Sequence, residues 1–185
     1  MHGSNRVPSR CYQQFPHFGA HGTFFIAYWV DHSSETGGTM ETLTLEKANI
    51  IIDVALEKKA ELNFAQLTVA VLDAGGNLIA LKREDRSGIL RPQIAIGKAY
   101  GVLGMGFGGR ELARRAPNNP LFFGALSDMS GGRMVPVPGG VLIRSQSGDI
   151  IGSVGISGDK SENDEICAVA GIKAAGLMPD TGDVQ

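Results

Sequence analysis

From Met40 onward the chain switches repeatedly between the two hydrophobic periods that mark helices and strands. Residues 40–62, METLTLEKANIIIDVALEKKAEL, place Leu45, Ala48, Ile52 and Ala55 at three- and four-residue intervals. That spacing predicts an amphipathic helix with Thr44 as its N-cap and Asp53, Glu57 and Lys58 largely off the apolar stripe. Residues 67–73 (LTVAVLD) and 78–82 are β-branched or apolar runs around Ala74-Gly75-Gly76-Asn77, which predicts a hairpin. After the polar loop 83–88, Pro92 opens a second helix to about Leu103. Residues 104–109 break that helix, and helical character resumes over 110–115. Residues 134–138 look like a strand interrupted by two prolines, which suits an edge or a bend. Residues 139–143 and 149–156 form a second hairpin around 145–148. A last helix runs from about Ser161 to Gly176, a C′ glycine followed by Pro179. Hairpins flanked by helices predict an α+β domain, an antiparallel sheet layered with helices.

Residues 1–39 obey a different composition. They contain no Leu and no Lys, yet hold all four histidines (His2, His17, His21, His32), Trp29 and seven of the twelve aromatics. The break falls on Met40, so we read residues 1–39 as a loosely attached extension or an upstream mis-start, and residues 40–185 as a single domain. The alternative is a secretory signal, with Arg6 and Arg10 ahead of the apolar run 24–30. That run is short, Pro16 interrupts its approach, and Asp31-His32 stand where small residues belong. A cytoplasmic location is therefore expected, with secretion as the alternative.

A net charge of −2 leaves no electrostatic footprint for nucleic acid, and the most apolar stretch, 94–107, is too short and glycine-rich to span a membrane. Cys11 and Cys167 lie on opposite sides of the break, which argues against a disulfide scaffold. Cys167, among Ile166, Ala168 and Val169, reads as core. With no histidine after Met40, the domain offers neither a Ser–His–Asp triad nor a histidine-bound zinc. Neither a catalytic nor a metal site is therefore predicted within it.

Gly104-Met105-Gly106-Phe107-Gly108-Gly109 matches GxGxxG, but a helix rather than a strand precedes it, so a glycine break between helices is expected. Ser161-x-x-Asp164 reads as a capping box, not a metal loop. Lys98 is the only charge between Pro92 and Gly109. Either its stem packs on apolar surface with the amine in water, or its ammonium waits at a pocket mouth for an anion.

The runs VAVLDAGGNLIALKRED, GILRPQIAIGKAYGVLGMGFGG, SGGRMVPVPGGVLI and DIIGSVGISGDKSENDEICAVAGI together resemble the GlcG/HbpS-like heme-binding family across nearly all of residues 42–177. The resemblance implies an α–β–α sandwich around a central antiparallel sheet of about five strands. It also implies homo-oligomers, dimers or octamers, and tetrapyrrole binding in some members. The matching glycines, at 75–76, 131–132, 139–140 and 155–158, are signatures of close approach or positive φ. The domain departs from a histidine-ligated pattern. Heme iron would be left to Cys167, a Met, Lys98, Tyr100 or a histidine of the extension.

The leading expectation is a non-enzymatic small-molecule-binding accessory protein, with heme or another tetrapyrrole implied by the resemblance. Arg83, Arg91, Lys98, Arg110 and Arg133 are the candidate anion contacts, with Tyr100, Phe107, Phe122 and Phe123 as apolar walls. One alternative is an enzyme on a small carboxylate or aromatic metabolite, using Lys98 with Asp85 or Asp73 as acid and base. Another is a structural oligomer accessory to a metabolic enzyme, with Ala168, Gly171 and Ala175 of the last helix permitting close helix packing within or between subunits.

Overall fold

The computed structural model describes residues 41–183, and the expectations for residues 1–39 lie outside it. Helix α1 (Leu45–Glu61) starts where the Thr44 side chain accepts a hydrogen bond from the Lys47 amide, as its N-cap position predicts. Its buried stripe is Ala48, Ile51, Ile52 and Ala55. Leu45, expected on that stripe, is exposed, because it lies before the helix has settled on its partner. Strands β1 (Thr68–Asp73) and β2 (Leu78–Arg83) form the first hairpin, and β3 (Gly140–Arg144) and β4 (Ile150–Ser157) the second. Between them lie α2 (Arg91–Met105), α3 (Gly109–Arg115), one 3-10 turn and α4 (Pro120–Met129). Helix α5 (Ser161–Ala174) and a short β5 (Met178–Asp180) complete the order.

The five strands make one antiparallel sheet in the order β2-β1-β4-β3-β5. Helices α1 and α5 cover one face through Ile51, Ile52, Val69, Val71, Val154 and Ile172. Helix α2 covers the other, against Ala70 and Leu72, while Val102, Leu112, Phe123 and Leu142 extend that layer toward α3 and α4. The expected α–β–α sandwich is the observed architecture.

Two differences have clear causes. Residues 134–138 are not a strand. They run as irregular chain across α2, with Val135 against Gly97 and the Met134 sulfur against Gly101, since two prolines deny the segment a ladder. The third strand of the second half is instead β5, only three residues long and too short to leave a period. Among the described residues no helix is long and apolar enough to cross a membrane.

The layers meet at unusually bare surfaces. A Cβ on Gly155 of β4 would lie 1.9 Å from the Ala95 carbonyl oxygen and 2.7 Å from the Ala99 nitrogen, so α2 rests its backbone on the strand. Beside it the Ser153 hydroxyl donates to the Ala99 carbonyl at 2.9 Å. Across the sheet, a Cβ on Gly171 of α5 would lie 2.2 Å from the Ile51 carbonyl. The small-residue stripe of the last helix therefore serves packing within the chain. Because backbone rather than a flexible side chain blocks the space, Gly155→Ala should destabilise by about 3 kcal/mol or more in urea unfolding. A loss below about 1 kcal/mol would show that α2 is free to lift.

Candidate functional site

The five candidate anion contacts and Tyr100 fall into three groups of contacts, and no cleft among the described residues gathers them all. At one end of the β1–β4 pair, Arg83 donates to the Ser87 carbonyl, the buried Ser87 hydroxyl meets Thr68 at 2.9 Å, and Arg91 donates to Ser157 at 3.1 Å. Arg133 stacks on Tyr100 with its guanidinium carbon 4.2 Å from the ring centroid, and also donates to the Ser130 carbonyl. Lys98 and Arg110 reach from α2 and α3 to consecutive carboxylates of α5.

Lys98 corrects both readings of its amine. It is 3% exposed and donates to Asp164 at 2.8 Å, whose own side chain is 1% exposed. Burial pushes the ammonium below its ordinary pKa against the pull of Asp164, and burial pushes the Asp164 carboxyl up against the pull of Lys98. The aspartate beside Lys98 is thus Asp164, neither Asp73 nor Asp85. Asp73 accepts instead from the Asn77 backbone at its own turn. The capping box also gives way. Lys160 holds the N-cap position without a side-chain bond, and the Asp164 carboxylate accepts from the Asp159 amide while holding Lys98.

Glu165, next along α5, is 2% exposed and takes Arg110 at 2.7 Å through Oε1, while its buried Oε2 has no partner among the described residues. Burial pushes this carboxyl up. Arg110 spends a second nitrogen on Asp183 at 2.7 Å. Cys167 is fully buried, and burial pushes its thiol up to about 11, which suits core and not ligation.

The glycine-rich break builds the most charged cleft. Gly106 closes α2 in the left-handed conformation (φ 69°), and Gly108 lies so close to Thr181 and Gly182 that a Cβ would sit 2.0 Å from the Thr181 carbonyl carbon. The Arg110 amide ties the same turn to the Thr181 carbonyl at 3.0 Å. Between α3 and the C-terminal strand this leaves a cleft of about 380 Å³, walled by Phe107, Arg114, Arg115 and Arg144, with Glu111, Asp180 and Asp183 between them. Arg115 lies over the Phe107 ring, 4.2 Å from its centroid, and donates to Glu111 at 2.5 Å. Arg114 shares Glu111 and also donates to the Gly182 carbonyl at 2.7 Å. Arg144 pairs with Asp180 at 2.8 Å.

Arg114 and Arg115 are nearly half exposed, and surface pairs of this kind are worth little, so a ligand carboxylate can exchange with Glu111 at small cost. Each guanidinium carries five donors in a planar fork suited to carboxylates. Phe107 was anticipated as a wall. Arg114 and Arg115 were not, because RELARR reads as ordinary three- and four-residue ion pairing along a helix, and neither was Arg144, at the end of β3. A shallower recess of about 330 Å³, sharing Arg114 and Asp183, adds Arg110, Pro138 and Glu162. Another hollow, of about 320 Å³, lies at the hairpin tips among Leu43, Asp73, Asp149 and Ile151. Lys98 and Asp164 line none of the three.

A buried pair costs more to half-remove than to replace. Lys98→Ala should lose roughly 3–5 kcal/mol by stranding Asp164, while Lys98→Met with Asp164→Leu should unfold within about 1 kcal/mol of the parent or above it. Chemical denaturation of all three proteins checks this. A silent Lys98→Ala would return the amine to solvent.

Residues 43–173 match the family model described as Haem degrading protein HbpS-like. An uncharacterised 15.0 kDa protein of Citrobacter freundii, from a dhaT-dhaS intergenic region, is 27% identical over 127 residues, 69% of this chain and 87% of that one. A double mutant of Streptomyces reticuli HbpS is similar in structure, with a TM-score of 0.64 and 26% identity over 80% of this chain and 97% of that one. The PduOC–heme complex shares the fold, with a TM-score of 0.67 and 24% identity over 77% of this chain and all of that one.

Proposed function

The chain belongs to the HbpS-like family, and on that footing we propose that it is a binding accessory protein for a planar, carboxylated small molecule of the tetrapyrrole class. The carrying observation is the cleft in which Arg115 stacks on Phe107 beside Arg114 and Arg144. An aromatic face flanked by exchangeable guanidiniums complements a flat ring bearing two carboxylates. A relative of the same fold was crystallised with heme, which supports the ligand class.

The residues suit the edge of a tetrapyrrole better than its metal. Among the described residues no His, Cys, Met or Tyr lines the cleft, Cys167 is enclosed in the core, and Lys98 is held by Asp164. Recognition through carboxylates is therefore the mode that the donor set of the described residues favours. The enzymatic alternative is less well supported, since its lysine, Lys98, is buried against Asp164 rather than beside Asp73 or Asp85 and lines none of the three clefts. Homo-oligomer assembly is part of the same proposal, supported by the exposed Leu121, Phe122 and Met129 on α4.

Titrating the full chain with hemin and with metal-free protoporphyrin IX, followed by Soret absorbance and fluorescence, tests this reading. Both should bind at one site with affinities within about threefold, and Arg115→Ala or Arg144→Ala should weaken both by about tenfold. Binding of hemin alone would place recognition at the iron and refute the reading. So would no saturable binding of either compound, or a Soret band that decays faster than in protein-free hemin.

A further inference from the structure

The hollow at the two hairpin tips carries acidic charges only, whereas the arginine cleft mixes three arginines with three carboxylates. Its walls are Leu43, Ala74, Ile150 and Ile151, and its rim carries Glu41, Asp73 and Asp149, with no lysine or arginine among the lining residues. Ile151 belongs to the main core and Leu43 packs against it, so the floor is anchored by packing. Its volume of about 320 Å³ falls in the range of small-ligand sites.

The three carboxylates are not equally satisfied. Glu41 is neutralised by the Lys47 ammonium at 2.6 Å and also accepts from the Gln146 amide. Asp73 accepts only from neutral groups, the Asn77 amide at 2.9 Å and the Asn77 side chain, and Asp149 accepts from the Ser147 hydroxyl at 2.7 Å. Among the described residues neither Asp73 nor Asp149 has a cationic partner. The rim therefore holds two formal negative charges without a counter-charge, over an apolar floor. The hydrogen bond from the Asn77 backbone keeps the Asp73 carboxyl below its ordinary range, so its charge persists in mild acid.

We propose that this hollow is a second binding site, for a small organic cation whose ammonium lies between Asp73 and Asp149 and whose apolar body covers Leu43, Ile150 and Ile151. An anionic ligand is repelled here, because the hollow's lining carries acidic charges only. A neutral apolar molecule gains the floor but leaves the carboxylates as it found them.

The test uses 2-phenylethylamine, with 2-phenylethanol and phenylacetate as neutral and anionic counterparts, titrated into the full chain at low salt and followed by amide chemical shifts. The ammonium should shift Leu43, Ala74, Gly75, Ile150 and Ile151 saturably, and bind at least about fivefold more tightly than the alcohol. Phenylacetate should leave these signals in place. Asp149→Asn, which keeps the acceptor for Ser147, should weaken the ammonium about threefold or more and leave the alcohol unchanged. Raising salt should weaken the ammonium alone, a readout that needs no variant. Equal binding of amine and alcohol, shifts centred elsewhere, salt-independent amine binding or no saturable binding would each overturn the proposal. The porphyrin titration reads a different cleft, so either site can fail without the other.

Discussion

The contact on which the other features depend is backbone against backbone, where α2 lies on β4 with no side chain between them. Gly155 leaves room for the Ala95 carbonyl, and Ser153 pays for the remaining polar group by donating to Ala99. A helix seated this closely cannot shift without losing both contacts. Its end is fixed too, and with it the turn at Gly106 and the start of α3. The C-terminal strand then closes on Gly108, where again only a bare α-carbon fits. The arginine cleft is a downstream consequence of that stacking, since Phe107 projects from the turn so placed and Arg115 from the far end of α3.

The ionic groups divide by depth into two kinds of work. Lys98–Asp164 and Arg110–Glu165 join α2 and α3 to the first turns of α5, with one or both partners enclosed. At Asp164 and Glu165 burial pushes the carboxyl up against the pull of the cation, so desolvation offsets part of what each pair contributes. The pairs of Arg114, Arg115 and Arg144 are shallow and shared, so their partners can be exchanged. The proposed ligand chemistry belongs to the second kind.

The elements that carry a period were legible in the sequence. Both hairpins, the caps at Thr44 and Gly176, the helical context of the GxGxxG run and the core placement of Cys167 follow from local rules. What failed depends on partners far along the chain. Nothing near Lys98 announces Asp164, 66 positions away, and the same distant demand turns Asp164 from helix cap to counter-ion. Strand β5 is too short to show alternation. The segment 134–138 has strand-forming valines, but its prolines and its position over α2 override them. Among site residues, Phe107 was visible as an aromatic in a glycine turn. Its arginine neighbours look like solvated helix charges until the C-terminal strand folds against them.

A crystal structure of the full chain with protoporphyrin IX tests the central claim most directly, because it locates the ligand without reference to affinity. The account predicts the macrocycle against Phe107, with its carboxylates within about 3 Å of Arg115 and Arg144 nitrogens. The Lys98–Asp164 pair should be undisturbed beneath α2. A macrocycle seated elsewhere, or carboxylates drawing Lys98 away from Asp164, would contradict it.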